Sequence, residues 1–213
     1  MKVVSVNIGE RQKVSWRGKT VETGIFKKPV DSIHLDKEDV QHDNVIDRKY
    51  HGGFDKACYL FSADAYPFWK SAYPNLDWHW GMFGENITVE GLDESKVYIG
   101  SKYKLGDAIV EVSEPRQPCF KLGICFGTQQ VLKDFIAGGK SGVYLRVLQP
   151  GKVIPGDQFK LTEKVSEISI RDVFDLTFRQ HPNPALVHEA VKVGQLAESA
   201  RKDLRKLLAT DNT

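Results

Sequence analysis

The spacing of hydrophobic residues changes once along the chain. Up to about residue 161, apolar and polar residues alternate in short runs that glycine and aspartate interrupt, which is typical of strands in an all-β barrel or sandwich. After about residue 165 the spacing lengthens to about 3.6 residues, the period of an amphipathic helix. The change predicts a mainly β fold with a few inserted helices, followed by a short helical unit.

Eight runs have the length and alternation of strands. The predicted strands are Val3–Ile8, Thr20–Phe26, Ala57–Phe61, Asn86–Val89, Tyr103–Leu105, Ala108–Ser113, Gly142–Leu148 and Gln158–Thr162. Only Gly106 and Asp107 separate two of these runs, and both residue types tolerate a positive φ. This pair therefore predicts a tight hairpin.

Two helices are expected inside the β region and three after it. Ser62–Tyr73 begins at a residue that can cap a helix, and Thr128–Ala137 ends at a Gly-Gly pair. The C-terminal helices are predicted at Ile168–Phe178, Pro184–Val193 and Gln195–Leu208. Asn183 followed by Pro184 is a typical helix start. We therefore divide the chain into a β-barrel, residues 1–163, and a three-helix domain, residues 164–213.

The overall charge and the distribution of apolar residues argue against two classes of partner. Thirty basic and 28 acidic residues leave a formal net charge of +2, too balanced for most non-specific nucleic-acid binders. No run approaches the roughly 18 apolar residues of a membrane span, and Met1–Val6 is typical of a strand and not of a signal peptide. We expect a cytoplasmic protein without nucleic-acid or membrane partners.

Cys119 is the cysteine most suited to chemistry. It follows a predicted strand in the run EPRQPCFKL, residues 114–122, where two prolines hold the backbone extended. Arg116 and Lys121 place positive charge beside it, and nearby cations favour the thiolate, which is a nucleophile and a ligand for soft metals. The alternative from the residues alone is a small buried side chain.

The other two cysteines are expected to be structural. Cys58 lies in the apolar run ACYLF, residues 57–61, and is predicted to belong to the core. Cys125 lies six residues after Cys119, close enough that a disulfide between them stays open. Three cysteines without zinc-ligand spacing predict neither a disulfide framework nor a structural zinc site.

A second group of polar residues occurs at residues 47–56, DRKYHGGFDK. A Gly-Gly pair, Gly52 and Gly53, beside cations can bring backbone amides close to an anion while Arg48 and Lys56 neutralise its charge. The alternative is a solvated charged turn. His51 is likewise either a catalytic group or a hydrogen-bonded structural residue.

Several common catalytic motifs are absent from the sequence. It contains no Gly-x-Gly-x-x-Gly after a strand, no Walker lysine loop and no His-Glu-x-x-His. Three cysteines are also too few for the four ligands of an iron–sulfur cluster. Nucleotide-dependent redox chemistry, phosphoryl transfer and zinc proteolysis therefore lack their usual sequence support.

Taken together, four segments resemble the MOSC domain family, named for the C-terminal domain of molybdenum cofactor sulfurases, in its YiiM-like branch. The segments are DRKYHGG at 47–53, FGENI at 83–87, GD at 106–107 continuing to PCFKL at 118–122, and PGD at 155–157. The resemblance covers nearly the whole chain, because this branch also ends in a small three-helix unit. It implies a β-barrel that binds the molybdenum cofactor, with Cys119 as the molybdenum ligand.

The resemblance also implies an activity and a set of site residues. Members of this branch reduce N-hydroxylated bases such as 6-hydroxylaminopurine, converting N–OH to N–H in a detoxification reaction. Cys119 and His51 are assigned to catalysis. The cofactor-binding residues are then Lys27, Arg48, His51, Gly52, Gly53, Lys56, Asn86, Arg116, Cys119 and Lys121.

The sequence carries no flavin or iron–sulfur motif of its own, so the electrons are expected from a separate reductase. The resemblance implies that this donor is a flavoprotein. Two alternatives stay open. The first alternative to the reductase is a sulfur carrier with a persulfide on Cys119, and the second is a cofactor-binding protein without catalytic activity.

Overall fold

The computed structural model describes residues 1–48, 51–179 and 182–210. Lys49 and Tyr50 of the DRKYHGG segment, and residues 211–213 of the predicted three-helix domain, lie outside the described residues. The strands are β1 (Lys2–Gly9), β2 (Gln12–Trp16), β3 (Lys19–Thr23), β4 (Lys27–Val30), β5 (Ile33–Leu35), β6 (Cys58–Ser62), β7 (Ile87–Glu90), β8 (Lys102–Leu105), β9 (Ala108–Pro115), β10 (Val143–Gln149), β11 (Gly151–Val153) and β12 (Lys160–Glu163). The α-helices are α1 (Tyr66–Ala72), α2 (Phe120–Cys125), α3 (Gln130–Gly138), α4 (Ile170–Phe178), α5 (Pro184–Lys192) and α6 (Glu198–Thr210).

Eight of the strands form one curled sheet in the order β12-β8-β9-β10-β6-β7-β1-β4. Its neighbours pair antiparallel except β6 and β7, which run parallel. The chain just before β12 closes much of the curl, because the Val3 amide donates to the Asp157 carbonyl at 2.8 Å and the Phe159 amide to the Met1 carbonyl at 3.0 Å. The sheet is a half-barrel whose open side these two hydrogen bonds partly close. The predicted mainly β class is confirmed.

The hairpin predicted at Gly106 and Asp107 is present. Leu105 pairs with Ala108 across the turn, and Gly106 has a φ of +55°. A Cβ at this position would lie 2.4 Å from the Lys152 carbonyl oxygen, so the turn needs glycine for space as well as for conformation.

The three C-terminal helices form where the 3.6-residue period predicts them. Asn183 caps α5 by accepting a hydrogen bond from the Ala185 amide at 3.0 Å, with Pro184 in the first turn. Ser169 and Asp172 form a capping box at the start of α4. These local bonds satisfy amide groups that a helix start leaves without partners.

Two clusters of buried side chains hold the fold together. The barrel core joins the inner face of the curled sheet to the C-terminal helices, through residues such as Val110, Leu145, Val173 and Leu204. The aromatic core lies around α1 and α3 and is built from rings such as Trp69. The barrel core continues across residue 163, so the three-helix unit covers the sheet and is packed against it. Within the described ranges, no helix is long and apolar enough to cross a membrane.

Several details differ from the sequence expectations. The strand predicted at Thr20–Phe26 spans Lys19–Thr23. The next residue, Gly24, packs so closely against the Asn44 backbone that a Cβ there would lie 1.8 Å from the Asn44 carbonyl oxygen. The strands β2, β4, β5 and β11 were not predicted, since their sequences are too short or too polar for a clear alternation. The helix predicted from Ser62 begins as a 3-10 turn, Ala63–Ala65, before α1.

Candidate active site

Cys119 lies at the junction of a loop and a helix. After β9 ends at Pro115, an extended loop leads to Cys119, which has φ −124° and ψ 166° and is the residue before the first turn of α2. The thiol is partly exposed. Pro115 and Pro118 have no amide N–H, so fewer backbone groups here need hydrogen-bond partners. Cys119 can therefore lie outside both buried cores.

The thiol lies between two adjoining cavities. The inner cavity, about 620 Å³ including its open side, is lined mainly by the segments 23–27, 44–47, 51–59, 84–86 and 116–121. The outer cavity, about 960 Å³ on the same measure, is lined mainly by residues 114–115 and 117–121 and by Ser199 and Asp203 of α6. Six residues line both cavities: Asp47, His51, Lys56, Cys119, Lys121 and Tyr144. Cys119 is thus accessible from both sides.

Four cations line the inner cavity: Lys27, Lys56, Arg116 and Lys121. Three of them are paired with carboxylates. The pairs are Lys27 with Asp43, Lys56 with Glu114 at 3.1 Å, and Lys121 with Asp47 at 3.8 Å.

Arg116 differs from the other three cations. Its side chain is buried, at 3% exposure. The guanidinium donates to the Phe83 carbonyl and lies 4.8 Å from the Tyr59 ring centroid. Among the described residues it has no carboxylate partner. Because a buried charge without a counter-charge is costly, Arg116 is suited to bind an anion that enters the inner cavity.

The Gly-Gly pair brings one of its two residues to the inner cavity. Gly52 and Gly53 have φ values of +79° and +78°, a conformation that disfavours other residues. The Gly53 amide donates to the Glu38 carbonyl at 3.0 Å, and Gly53 lines neither cavity. Gly52 lines the inner cavity, and its amide has no hydrogen-bond partner in the part of the chain that the structure describes.

Arg48 lies away from the position that the sequence indicated. Its guanidinium is paired with Asp39 and, at 3.3 Å, with Glu38. The side chain is 50% exposed and lines neither cavity. Two carboxylates already compensate its charge, so the structure does not bring Arg48 to the candidate site.

Lys27 and Asn86 meet at Asp43, a residue that the sequence analysis did not single out. The Asp43 carboxylate accepts hydrogen bonds from the Gly9 amide at 2.7 Å, from the Asn86 side chain at 2.9 Å and from Lys27. The Asn86 side-chain oxygen also accepts from the Tyr59 amide at 3.2 Å. Asn86 therefore stabilises the cavity wall mainly through bonds within the protein.

His51 lies between a thiol and a phenol. Its Nε2 is 3.7 Å from the Cys119 Sγ, and its Nδ1 is 3.5 Å from the Tyr144 hydroxyl. Burial, followed by the positive charges of Arg116, Lys121 and Lys56, lowers the pKa of His51 from 6.5 to about 4. The imidazole is therefore neutral at neutral pH, with one ring nitrogen protonated and the other free to accept a hydrogen bond.

This assignment predicts a pH dependence in the cofactor-free protein. We expect His51 to titrate near pH 4 in two-dimensional NMR spectra, with the His51→Asn variant identifying its signal. Between pH 6.5 and about 4 the unfolded chain binds the proton and the folded protein does not. The free energy of unfolding therefore falls as the pH is lowered through this window. A His51 titration near its ordinary value of about 6.5 would contradict the electrostatic account.

The other two cysteines have different environments. Burial raises the pKa of Cys58 and of Cys125 to about 12 in each case. Neither thiol is therefore prepared to form a thiolate at neutral pH. All three cysteines are unpaired in the structure, so the disulfide left open between Cys119 and Cys125 is not formed.

Four further residues shape the site and were missed in the sequence. Tyr59 and Tyr144 come from neighbouring strands and line the inner cavity. Glu114 and Asp203 line only the outer cavity. A signal for Glu114 existed in its position five residues before Cys119, whereas Asp203 lies 84 residues after Cys119 and only the fold brings it near.

Two family models match consecutive parts of the chain. Residues 47–160 match the MOSC domain, and residues 168–211 match the YiiM-like, 3-alpha helix domain. The first match includes the loop that carries Cys119, and the second includes the whole of α4, α5 and α6.

Three individual proteins extend these matches. YflK from Bacillus subtilis is 36% identical over 206 residues, which cover 96% of this chain and 93% of YflK. A Gibberella moniliformis protein named Reductase is 39% identical over 117 residues, covering 54% of this chain and 21% of that protein. The crystal structure of YiiM from Geobacillus stearothermophilus matches with a TM-score of 0.80 and 32% identity, over 96% of this chain and 97% of that one.

Proposed function

The chain belongs to the MOSC domain family with a YiiM-like three-helix domain, and from this premise we propose that it is a molybdenum cofactor-dependent reductase of N-hydroxylated compounds. The substrates proposed are bases of the 6-hydroxylaminopurine type, and the reaction converts N–OH to N–H. The observation that carries the proposal is the position of the Cys119 thiol, between a cavity lined by four cations and a second cavity open to substrate.

The residues of the inner cavity fit the molybdenum cofactor. Its pterin carries an anionic phosphate, and Arg116 offers a buried positive charge without a carboxylate partner among the described residues. The Gly52 amide, Lys56 and Lys121 would add donors. Cys119 would hold the metal, since a thiolate is a suitable ligand for soft metals.

When bound, the molybdenum cofactor supplies the two-electron chemistry that, with two protons, converts N–OH to N–H and releases water. The chain would supply the binding site and the proton path. The Tyr144 hydroxyl lies against the Nδ1 of His51, and the Nε2 of His51 faces Cys119. Burial raises the pKa of Tyr144, so the phenol keeps its proton. A neutral His51 beside it can accept a proton at one nitrogen and donate from the other.

The electrons would come from a separate flavoprotein reductase. Among the described residues, no group of His, Cys, Asp and Glu side chains has the arrangement of a second metal centre, and the sequence has no nucleotide-binding motif. The relative named Reductase supports a redox role. In that protein the matching region is 21% of the length, which leaves most of its chain for other modules.

Cofactor retention should depend on Arg116 and not on Arg48. We expect Arg116→Met to lower molybdenum and pterin content after dialysis by about tenfold or more, since hydrogen bonds to charged groups contribute about 1.5–3 kcal/mol. The cofactor-free Arg116→Met protein should remain folded, because methionine fills much of the buried volume, although the hydrogen bond to the Phe83 carbonyl is lost. Unchanged cofactor content in this variant would remove Arg116 from the binding site.

Arg48→Ala is the matched control. It removes a guanidinium from the same region that is already paired with Asp39 and Glu38, and it should keep its cofactor. If Arg48→Ala instead loses the cofactor while Arg116→Met retains it, the phosphate lies where the sequence pattern placed it and not in the inner cavity.

The activity itself is tested on protein made in a host that synthesises the cofactor. We expect turnover of 6-hydroxylaminopurine when a flavoprotein reductase and NADH are supplied, together with stoichiometric molybdenum and pterin. A persulfide mass on Cys119 without pterin would favour the sulfur-carrier alternative. Bound cofactor without turnover of any N-hydroxylated compound would favour a binding protein.

A further inference from the structure

The outer cavity has walls of a different kind from the inner one. Pro118 and Phe120 provide an apolar surface beside Cys119, and the Phe120 ring is 43% exposed. Ser199 and Asp203 of α6 also line this cavity. The three-helix unit therefore contributes directly to a cavity that reaches the candidate catalytic thiol.

Asp47, Lys56 and Lys121 line both cavities, but the charged side chains that the cavities do not share differ in sign. The charged side chains that line only the inner cavity are both cations, Lys27 and Arg116. Those that line only the outer cavity are both acids, Glu114 and Asp203. A ligand in the outer cavity thus meets two carboxylates that a ligand in the inner cavity does not meet, beside the shared Lys56 and Lys121.

Of the two acids, Asp203 has the greater capacity to bind a ligand. Glu114 is buried and accepts from Lys56 at 3.1 Å and from Ser199 at 2.9 Å. The Asp203 side chain is 39% exposed, and its Oδ1 accepts from Lys206 at 2.7 Å. Among the described residues, its Oδ2 has one long contact, 3.4 Å from the Gln117 side-chain amide. The hydrogen bond from Lys206 lowers the pKa of Asp203, so it is a carboxylate at neutral pH.

We propose that the outer cavity selects aromatic N-hydroxylated compounds that carry N–H groups and no carboxylate, with Asp203 accepting a hydrogen bond from the substrate and Phe120 packing against its ring. This inference deepens the proposed function and rests on it. An exposed ring favours a flat ligand, through stacking or edge contacts. The Asp203 carboxylate accepts hydrogen bonds from N–H donors and repels a second carboxylate. It therefore favours one class of substrate by attraction and disfavours the other by repulsion.

Two probes that differ in one charge test the selection. Reduction of benzamidoxime to benzamidine consumes two electrons and two protons and releases water, and 4-carboxybenzamidoxime undergoes the same reaction with an anionic ring substituent. We expect the wild type to favour benzamidoxime by about tenfold or more in kcat/KM, because a like charge opposes the carboxylate probe. In Asp203→Asn this preference should fall about fivefold or more, mainly through KM.

Glu198→Gln is the matched control. It lies on the same helix and changes the net charge by the same amount, but it lines neither cavity. Its preference between the two probes should equal that of the wild type. A preference that changes equally in Glu198→Gln and Asp203→Asn would reflect overall charge and would overturn the assignment.

A binding measurement separates this inference from the proposed function. Titration calorimetry of benzamidine and benzoate on the same preparations needs no turnover. Benzamidine should bind more tightly than benzoate, and Asp203→Asn should lose that difference. If this holds while no N-hydroxylated compound is reduced, the charge selection stands and the reductase proposal fails. If reduction proceeds and neither assay depends on Asp203, the selection is overturned and the reductase proposal stands.

Discussion

Deletion of residues 164–213 is expected to unfold the protein. Nine buried side chains of this region belong to the barrel core: Ile168, Ile170, Val173, Leu176, Val187, Ala190, Leu196, Ala200 and Leu204. Truncating one large buried side chain costs about 2–5 kcal/mol, whereas a whole domain is stable by only about 5–15 kcal/mol. The combined cost of removing all nine side chains therefore exceeds the total free energy of unfolding. Circular dichroism and thermal unfolding of residues 1–163 provide the measurement.

Polar contacts across residue 163 support the same expectation. The Ala197 amide donates to the Ser113 carbonyl at 3.1 Å, and Arg146 donates to the Gln195 carbonyl at 2.7 Å. Co-expression of residues 164–213 as a separate chain is the control, and it should restore folding by covering the sheet. A 1–163 fragment that unfolds cooperatively and binds the cofactor alone would show that the barrel needs no helices.

Replacement of Cys119 is expected to have the largest effect on activity. We expect Cys119→Ser to reduce N-hydroxylated substrates about a hundredfold more slowly or worse, since loss of an outer-shell partner alone costs about 10- to 100-fold. The thiol is partly exposed and lies outside both buried clusters, so the free energy of unfolding should hardly change. Steady-state kinetics and urea unfolding of the same preparation measure both quantities.

Cys58→Ala is the matched control for this prediction. Cys58 is fully buried in the barrel core, so its truncation should cost about 1 kcal/mol or more of stability and leave the activity per folded molecule unchanged. Wild-type activity in Cys119→Ser would refute the role of the thiolate as the metal ligand.

The backbone preferences of single residues predicted the turns and helix starts that depend on short stretches of sequence. The Gly106–Asp107 hairpin and the Asn183–Pro184 helix start follow from backbone preferences alone, and both are confirmed. Helix α2 was not predicted, because Gly123 weakens it and a cysteine is an unusual residue before a first turn. How far the C-terminal helices share the barrel core depends on packing between distant segments, which a single sequence does not display.

The candidate site was likewise predicted only in part. The family resemblance is confirmed by the two family models, and the sequence placed Cys119, His51 and Arg116 together. It also placed Arg48 there, because proximity in sequence to the Gly-Gly pair does not reveal the competing carboxylates of Asp39 and Glu38. Conversely, Asp203 reaches the outer cavity only through the packing of α6.

A crystal structure of protein from a cofactor-producing host, with anomalous data collected at the molybdenum edge, tests the central claim most directly. We predict one molybdenum peak at bonding distance from the Cys119 Sγ, with the pterin phosphate in the inner cavity against Arg116. A protein that contains molybdenum with its peak elsewhere, or an inner cavity free of pterin in protein that reduces N-hydroxylated substrates, would contradict it.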